Sequence, residues 1–358
     1  MHTVKFSKID PSQFFKTTRR RVNEYFEKKK LSRSGSYKII FKAIVMLSLY
    51  FIPFVLMVSG LIDGWWNVVA YALMGMGMAG IGLCVMHDAN HGTFSKFKIV
   101  NRLMGYTMNM VGGSSFTWKV QHNILHHSFT NIYGVDEDIE DKAFLRLSPH
   151  GKKRWYHRFQ HIYAWFLYTL ATVSWTLIKD FKQLFNYNRK GITKDTGFNP
   201  THETIALFSS KTIYFSLVLI IPMLFVTKWY IVLLGFLIMH VIAGFSITVI
   251  FQLAHVVEGA DHHHAHGTNE MDNTWALHQL ATTANFANRN RVLTWMIGGL
   301  NYQIEHHLFP HISHIHYPEI SKIVKKTAQE CGLKYNEFVT MLGAMKSHAR
   351  MLKEIGVA

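Results

Sequence analysis

Histidines at metal-ligand spacings are the first chemistry this sequence offers: 23 of its 358 residues are His. His87-Asp88-Ala89-Asn90-His91 puts two imidazoles at i and i+4, on one face if a helix runs through them. That spacing suits two donors to one metal. His122-Asn123-Ile124-Leu125-His126-His127 repeats the spacing and adds a neighbour that on an α-helix points ~100° away, so adjacent histidines are expected to serve different metals. Gln303-Ile304-Glu305-His306-His307 follows the same design, with its Gln amide one turn before the second His. His255 stands alone at the end of an apolar run.

Together His87, His91, His122, His126, His127, His255, Gln303, His306 and His307 make nine candidate ligands, where one zinc site needs about four. Nitrogen donors at this density fit redox iron better than calcium or magnesium, which prefer oxygen. Copper and zinc are also compatible. Asp136-Glu137-Asp138 reads as a solvated run or as groups that orient ligating imidazoles from behind, and Asp88, lying between two candidate ligands, ranks above it for that orienting role. His262-His263-His264 with His266 reads as an exposed loop, and His311, His314 and His316 as support for the third cluster or as packing at the interface. Cys84 and Cys331 show neither paired nor metal-site spacing and read as structural thiols.

The elements that must hold these groups are membrane spans. Apolar blocks at 39–61, 68–86, 212–227 and 230–253 alternate with basic stretches, and each approaches or exceeds the length that crosses a ~30 Å hydrocarbon core. Buried helices of a soluble protein rarely run so long without charge. The opening MHTVKFSKIDPSQFF lacks a secretory signal's apolar core, so the first span is the expected targeting element. The formal charge of +16 flanks the spans, which points to a membrane and its anionic headgroups and not to nucleic acid. With the basic N-terminus cytoplasmic, four crossings return 87–127, His255 and 306–307 to one face, provided that 162–178 lies in the interface. Residues 179–211, Ser209 among them, are then expected to face the cytoplasm. Glycines 75, 77, 80 and 82 inside a span suit close helix packing.

The three motifs in this order, HDxxH, HNxxHH and QxxHH, resemble those of the membrane fatty acid desaturases, over about residues 40–330. GGLNYQIEHHLFP, residues 298–310, is most similar to the front-end desaturases, whose third box opens with Gln. The resemblance implies an all-α integral membrane fold, four helices below a cytoplasmic cap that holds two non-haem irons, with the nine residues above as ligands and an acyl tunnel. It divides the chain into a basic segment at 1–38, a desaturase domain at 39–330 and a tail at 331–358. It also implies O2-dependent dehydrogenation of a fatty acyl substrate, on CoA or a glycerolipid, in the bacterial inner membrane or the ER. No HPGG haem loop occurs, so electrons are expected from a separate ferredoxin or cytochrome b5 with its reductase. A hydroxylase on the same scaffold is the nearest rival. A metal transporter or sensor would need polar residues within spans that are nearly free of charge.

Overall fold

The structure is a computed structural model that describes residues 4–140, 142–265 and 270–358; His266 lies outside them. Four of the described helices are long and apolar enough to cross a membrane: Tyr37–Val58, Trp66–Asn90, Pro200–Phe225 and Trp229–His255. The first is started by Ser36, whose hydroxyl accepts from the Lys38 amide. Three of the four match the apolar blocks closely. The third begins at Pro200, well before the block at 212, because Asn199 caps it by accepting from the amides of Thr201 and His202 and Pro200 suits the first turn. Ser209 is therefore inside this helix and not in a connecting segment. Its Lys211 is buried, 2.6 Å from Asp180 and donating to the Gly112 carbonyl at 2.6 Å. Thr117 and Trp175 also donate to Asp180, at 2.7 and 2.8 Å. A cation so paired is tolerated where an unpaired one is not.

The chain forms two compact units. Residues 36–120 and 166–249 make one, containing most of the spanning helices. A Cβ on Gly77 would come within 2.6 Å of the Tyr50 backbone nitrogen, and one on Gly75 within 2.7 Å of the Met239 carbonyl. The second spanning helix thus touches the first and the fourth backbone to backbone, which only glycine permits. Cys84 is buried here. The stretch from Gln160 is helical to Arg189, interrupted at Leu170 and wound as a π-helix over Trp175–Lys179, and it is not among the four long apolar helices.

Residues 1–35, 121–165 and 250–358 make the other unit. Its core joins Phe14, Val22 and Phe26 of the helix Phe14–Lys29 to Leu280, Ile304, Leu308, Ile320 and Val324. Each such side chain, fully buried, contributes roughly 1.5–3 kcal/mol. The basic N-terminal segment and the C-terminal residues are both built into this unit: Arg21 pairs with Glu330 at 2.5 Å, and Arg146 donates to the carbonyls of Ile355 and Gly151. Three two-residue parallel ladders are the described strands, one of them pairing Ile132–Tyr133 with His263–His264. His262, His263 and His264 are thus half-buried and not the exposed loop that their polar context suggests.

Candidate metal centre

Local winding decides which histidines meet. Ser114 caps a short helix at Ser115–Trp118, and the chain then widens into a π-helix over Lys119–His126. In a π-helix the hydrogen bond runs from i to i+5, so residues five apart come together. Nε2 of His122 accordingly lies 3.2 Å from Nε2 of His127. His122 also stacks on His126, centroids 5.4 Å apart, as the i, i+4 spacing led one to expect; what is corrected is the expectation that His127 points away. A second π-turn, Ile81–Met86, leads into His87. π-turns of this kind recur at functional sites.

His126 faces His255 and His307, at ring-centroid distances of 4.7 and 5.0 Å, and the last two are 4.8 Å apart. All three are buried and their nitrogens fall within 4.8 Å of one another. Each Nδ1 is engaged away from the cluster. His126 Nδ1 is 3.0 Å from Asp136 Oδ2, His307 Nδ1 is 2.8 Å from Gln279 Oε1, and His255 Nδ1 is 3.3 Å from the Thr282 carbonyl. Those acceptors fix the tautomer with hydrogen on Nδ1, leaving the Nε2 lone pairs free. The three Nε2 atoms are buried and have no hydrogen-bond partner among the described residues. Three inward lone pairs without a protein donor are what a metal ion would satisfy.

Charges around the cluster set its basicity. Burial lowers the pKa of His126, but Asp136 and Asp138 outweigh that and the net shift is upward. Burial, then the histidines around it, holds His307 well below the ordinary range, so its imidazole is neutral. The Thr130 hydroxyl, 3.2 Å from His307 Nδ1, also donates to Gln279 at 2.8 Å.

Gln303 and His306 share the helix Gln303–Leu308 with His307. The Gln303 amide nitrogen donates to the Leu300 carbonyl at 2.7 Å, while its oxygen is buried with no hydrogen-bond partner among the described residues. Oxygen is therefore the donor atom it can offer. The His306 ring lies 4.5 Å from that of His127 and 5.8 Å from that of His122, with Tyr317 OH 3.2 Å from its Nδ1. Six of the candidate histidines thus form one chain of ring contacts within this unit. His87 and His91 lie together in the other unit, centroids 4.7 Å apart, both edge-on to Trp118.

Of the two readings open to the acidic run, the orienting one holds at Asp136, 3.0 Å from His126 Nδ1, ahead of Asp88. Asp136 is fully buried and also accepts from the Asn131 backbone N–H at 2.9 Å. Asn131 adopts a left-handed φ of 56°, folding the chain back so that the acid reaches His126. Asp88 Oδ1 is 3.9 Å from His87 Nδ1, beyond hydrogen-bond range. Gln279 and Thr130 carried no sequence signal. Glu305 is a further buried acid, accepting from Asn285 at 2.8 Å and Tyr335 at 2.9 Å, and burial pushes its pKa up to about 7.

Comparison with known proteins bears on this arrangement. The family model for fatty acid desaturases matches residues 63–339. The sn-1 linoleoyl-lipid 6-desaturase of Arthrospira platensis is 35% identical over 96% of this chain and 93% of its own length. A protein of the same name from Synechocystis sp. is 32% identical over 96% of each chain. The acyl-lipid (8-3)-desaturase of Physcomitrium patens is 32% identical over 99% of this chain and 74% of its own.

Proposed function

We propose, from the premise that this chain belongs to the fatty acid desaturase family and is an O2-dependent oxidoreductase of the membrane, that it inserts a double bond between an existing one and the carboxyl end of a glycerolipid acyl chain. The observation that carries the metal-dependent reading is the buried trio His126, His255 and His307 with inward, unpartnered Nε2 atoms. Two irons are the proposed cofactor, held by His87, His91, His122, His126, His127, His255, His306, His307 and the Gln303 oxygen. Bound there, they supply the capacity to activate dioxygen. The chain's own part is to present neutral imidazoles, to fix their tautomers through Asp136, Gln279 and the Thr282 carbonyl, and to keep water from the cluster by burial. Asp88 remains a candidate for orienting the first pair.

Support for front-end chemistry comes from Gln303 opening the third motif and from the named activities of the relatives, which are linoleoyl-lipid and acyl-lipid desaturases. A separate protein donor, ferredoxin or cytochrome b5, is proposed to supply electrons. The cluster is proposed to face the cytoplasm, supported by ten Lys and Arg against three acids in residues 1–35. A single cysteine at Ser34, in a chain without Cys84 and Cys331, should react only with reagents that enter the cell. Feeding an expressing host linoleate and oleate and locating new double bonds by fragmentation tests the reaction. A new Δ6 or Δ5 bond in a polyunsaturated product is expected. New unsaturation only on the methyl side, or only in saturated chains, overturns the front-end assignment, and a hydroxylated product overturns desaturation itself.

A further inference from the structure

Electron balance sets a requirement that the histidine cluster does not meet. Forming one C=C bond while dioxygen becomes two waters takes four electrons: two from the C–H bonds broken and two from outside, with two protons from solvent. The described cysteines, Cys84 and Cys331, fall short of the four thiolates an iron–sulfur cluster takes. A carrier must therefore touch the surface where a short route leads to the buried imidazoles.

One place provides such a route. A hollow of about 800 Å³ in the unit that holds His126 is lined by Lys8, Lys16, Arg19 and Arg20, with Trp275 in its wall. Lys8, Lys16, Arg19 and Arg20 are exposed and Trp275 is half-buried. Asp10, Glu24 and Glu27 line it too, and Arg20 and Glu24 neutralise each other at 2.7 Å, so Lys8, Lys16 and Arg19 face Asp10 and Glu27 and the lining keeps a net positive charge. The Trp275 indole N–H donates to the His127 carbonyl at 3.0 Å, and Phe15 holds the ring edge-on at 5.7 Å. The His127 ring is 4.4 Å from that of His307 and 4.5 Å from that of His306. A single hydrogen bond and one residue separate a surface-reaching indole from the cluster.

We infer that this hollow, with Lys16, Arg19 and Arg20 on its rim, is where an acidic one-electron carrier protein docks and delivers electrons through Trp275 and His127. The inference rests on the desaturase reading. Complementary charge steers such encounters and sets their salt dependence. An anionic lipid surface also seeks exposed cations, but it has no use for a hydrogen-bonded route inward.

The test uses the full iron-loaded chain in neutral detergent, with soluble cytochrome b5 and a plant-type [2Fe–2S] ferredoxin as protein donors, and, as a donor-free reference, the chain reduced anaerobically by dithionite, freed of it and then given O2 for a single turnover. Lys16→Glu/Arg19→Glu/Arg20→Glu should raise the KM for the protein donor about ten-fold or more and flatten its rise with salt. A donor whose acidic face is changed to lysine should restore it. The same charge change at Lys28, Lys29 and Lys30, exposed on the same segment but outside the hollow, should move that KM by about two-fold or less. Trp275→Phe should slow donor-driven turnover at saturation while sparing donor affinity. Affinity read by surface binding, independent of turnover, should give the same order. Equal rises from both triple variants, no rise from the first, or no saturable binding of either donor overturns the inference. So does loss of binding to phosphatidylglycerol vesicles with donor KM unchanged, which assigns the face to lipid. Failure of the unaltered chain, pre-reduced and freed of dithionite, to desaturate on exposure to O2 strikes the desaturase reading instead, and the binding arm still decides the docking site.

Discussion

Lys119–His126 and Gln303–Leu308 each lead to a pair of adjacent histidines, and the two segments are built differently. The first is wound as a π-helix and the second as an α-helix. The wide turn pairs His122 with His127 and sends His126 toward His255 and His307; the regular turn keeps Gln303 and His307 four residues apart on one face. Their outer partners differ as well. His126 leans on a buried carboxylate, Asp136, and its pKa is raised despite burial; His307 leans on a neutral amide, Gln279, and its pKa is held down. Imidazoles in one cluster are thus given unequal basicity by groups that stand behind them.

The contrast can be broken at several strengths. His126→Ala and His307→Ala should each reduce desaturation in an expressing host below detection, because each removes one of three inward nitrogens. Retention of activity by either would mean that the two segments are not parts of one centre. Asp136→Asn keeps the shape but removes the charge behind His126, and should cost about 10–100-fold in turnover or iron affinity. Gln279→Ala should cost less, about ten-fold at most, since the Thr130 hydroxyl stands 3.2 Å from the same nitrogen and can take over its hydrogen bond. A larger loss at Gln279 than at Asp136 would reverse the proposed ranking of carboxylate over amide.

His348 supplies the baseline for a buried histidine outside both segments. Its Nδ1–H donates to the Val256 carbonyl at 2.6 Å, and burial lowers its pKa to about 4 from the ordinary 6.5. The folded pKa lies below the unfolded one, so the unfolded chain takes up the proton first as pH falls. Stability should drop between about pH 6.5 and 4, by up to roughly 3 kcal/mol, and this contribution should level off below that. His348→Asn retains a donor for the carbonyl but cannot titrate, so its melting temperature should fall less steeply across that window. Parallel slopes for the two proteins would contradict the assignment.

Which parts were legible follows from their physics. Uninterrupted apolar runs announced the first, second and fourth spanning helices, and the return of the chain to one face singled out His255. The third helix was read short because Lys211 and the polar residues after Pro200 look like a loop until Asp180 is seen to pair with the lysine. Histidine spacing found the candidate donors and the approach of His122 to His126, but an assumed 3.6-residue turn missed the contact of His122 with His127, since nothing in HNILHH announces a π-helix. Asp136 was ranked behind Asp88 because three adjacent acids resemble a solvated run; the left-handed turn at Asn131 buries one of them. Gln279 reaches His307 across 28 residues of chain, a separation that no local motif encodes.

The central claim is a two-iron centre whose ligands include His126, His255 and His307. It is tested most directly by counting iron per purified chain, by mass spectrometry, on the same samples assayed for desaturation. The unaltered chain should hold two irons, and His307→Ala should lose iron and activity together. A His307→Ala chain that keeps both irons while inactive, or an unaltered chain that desaturates without iron, would contradict the account.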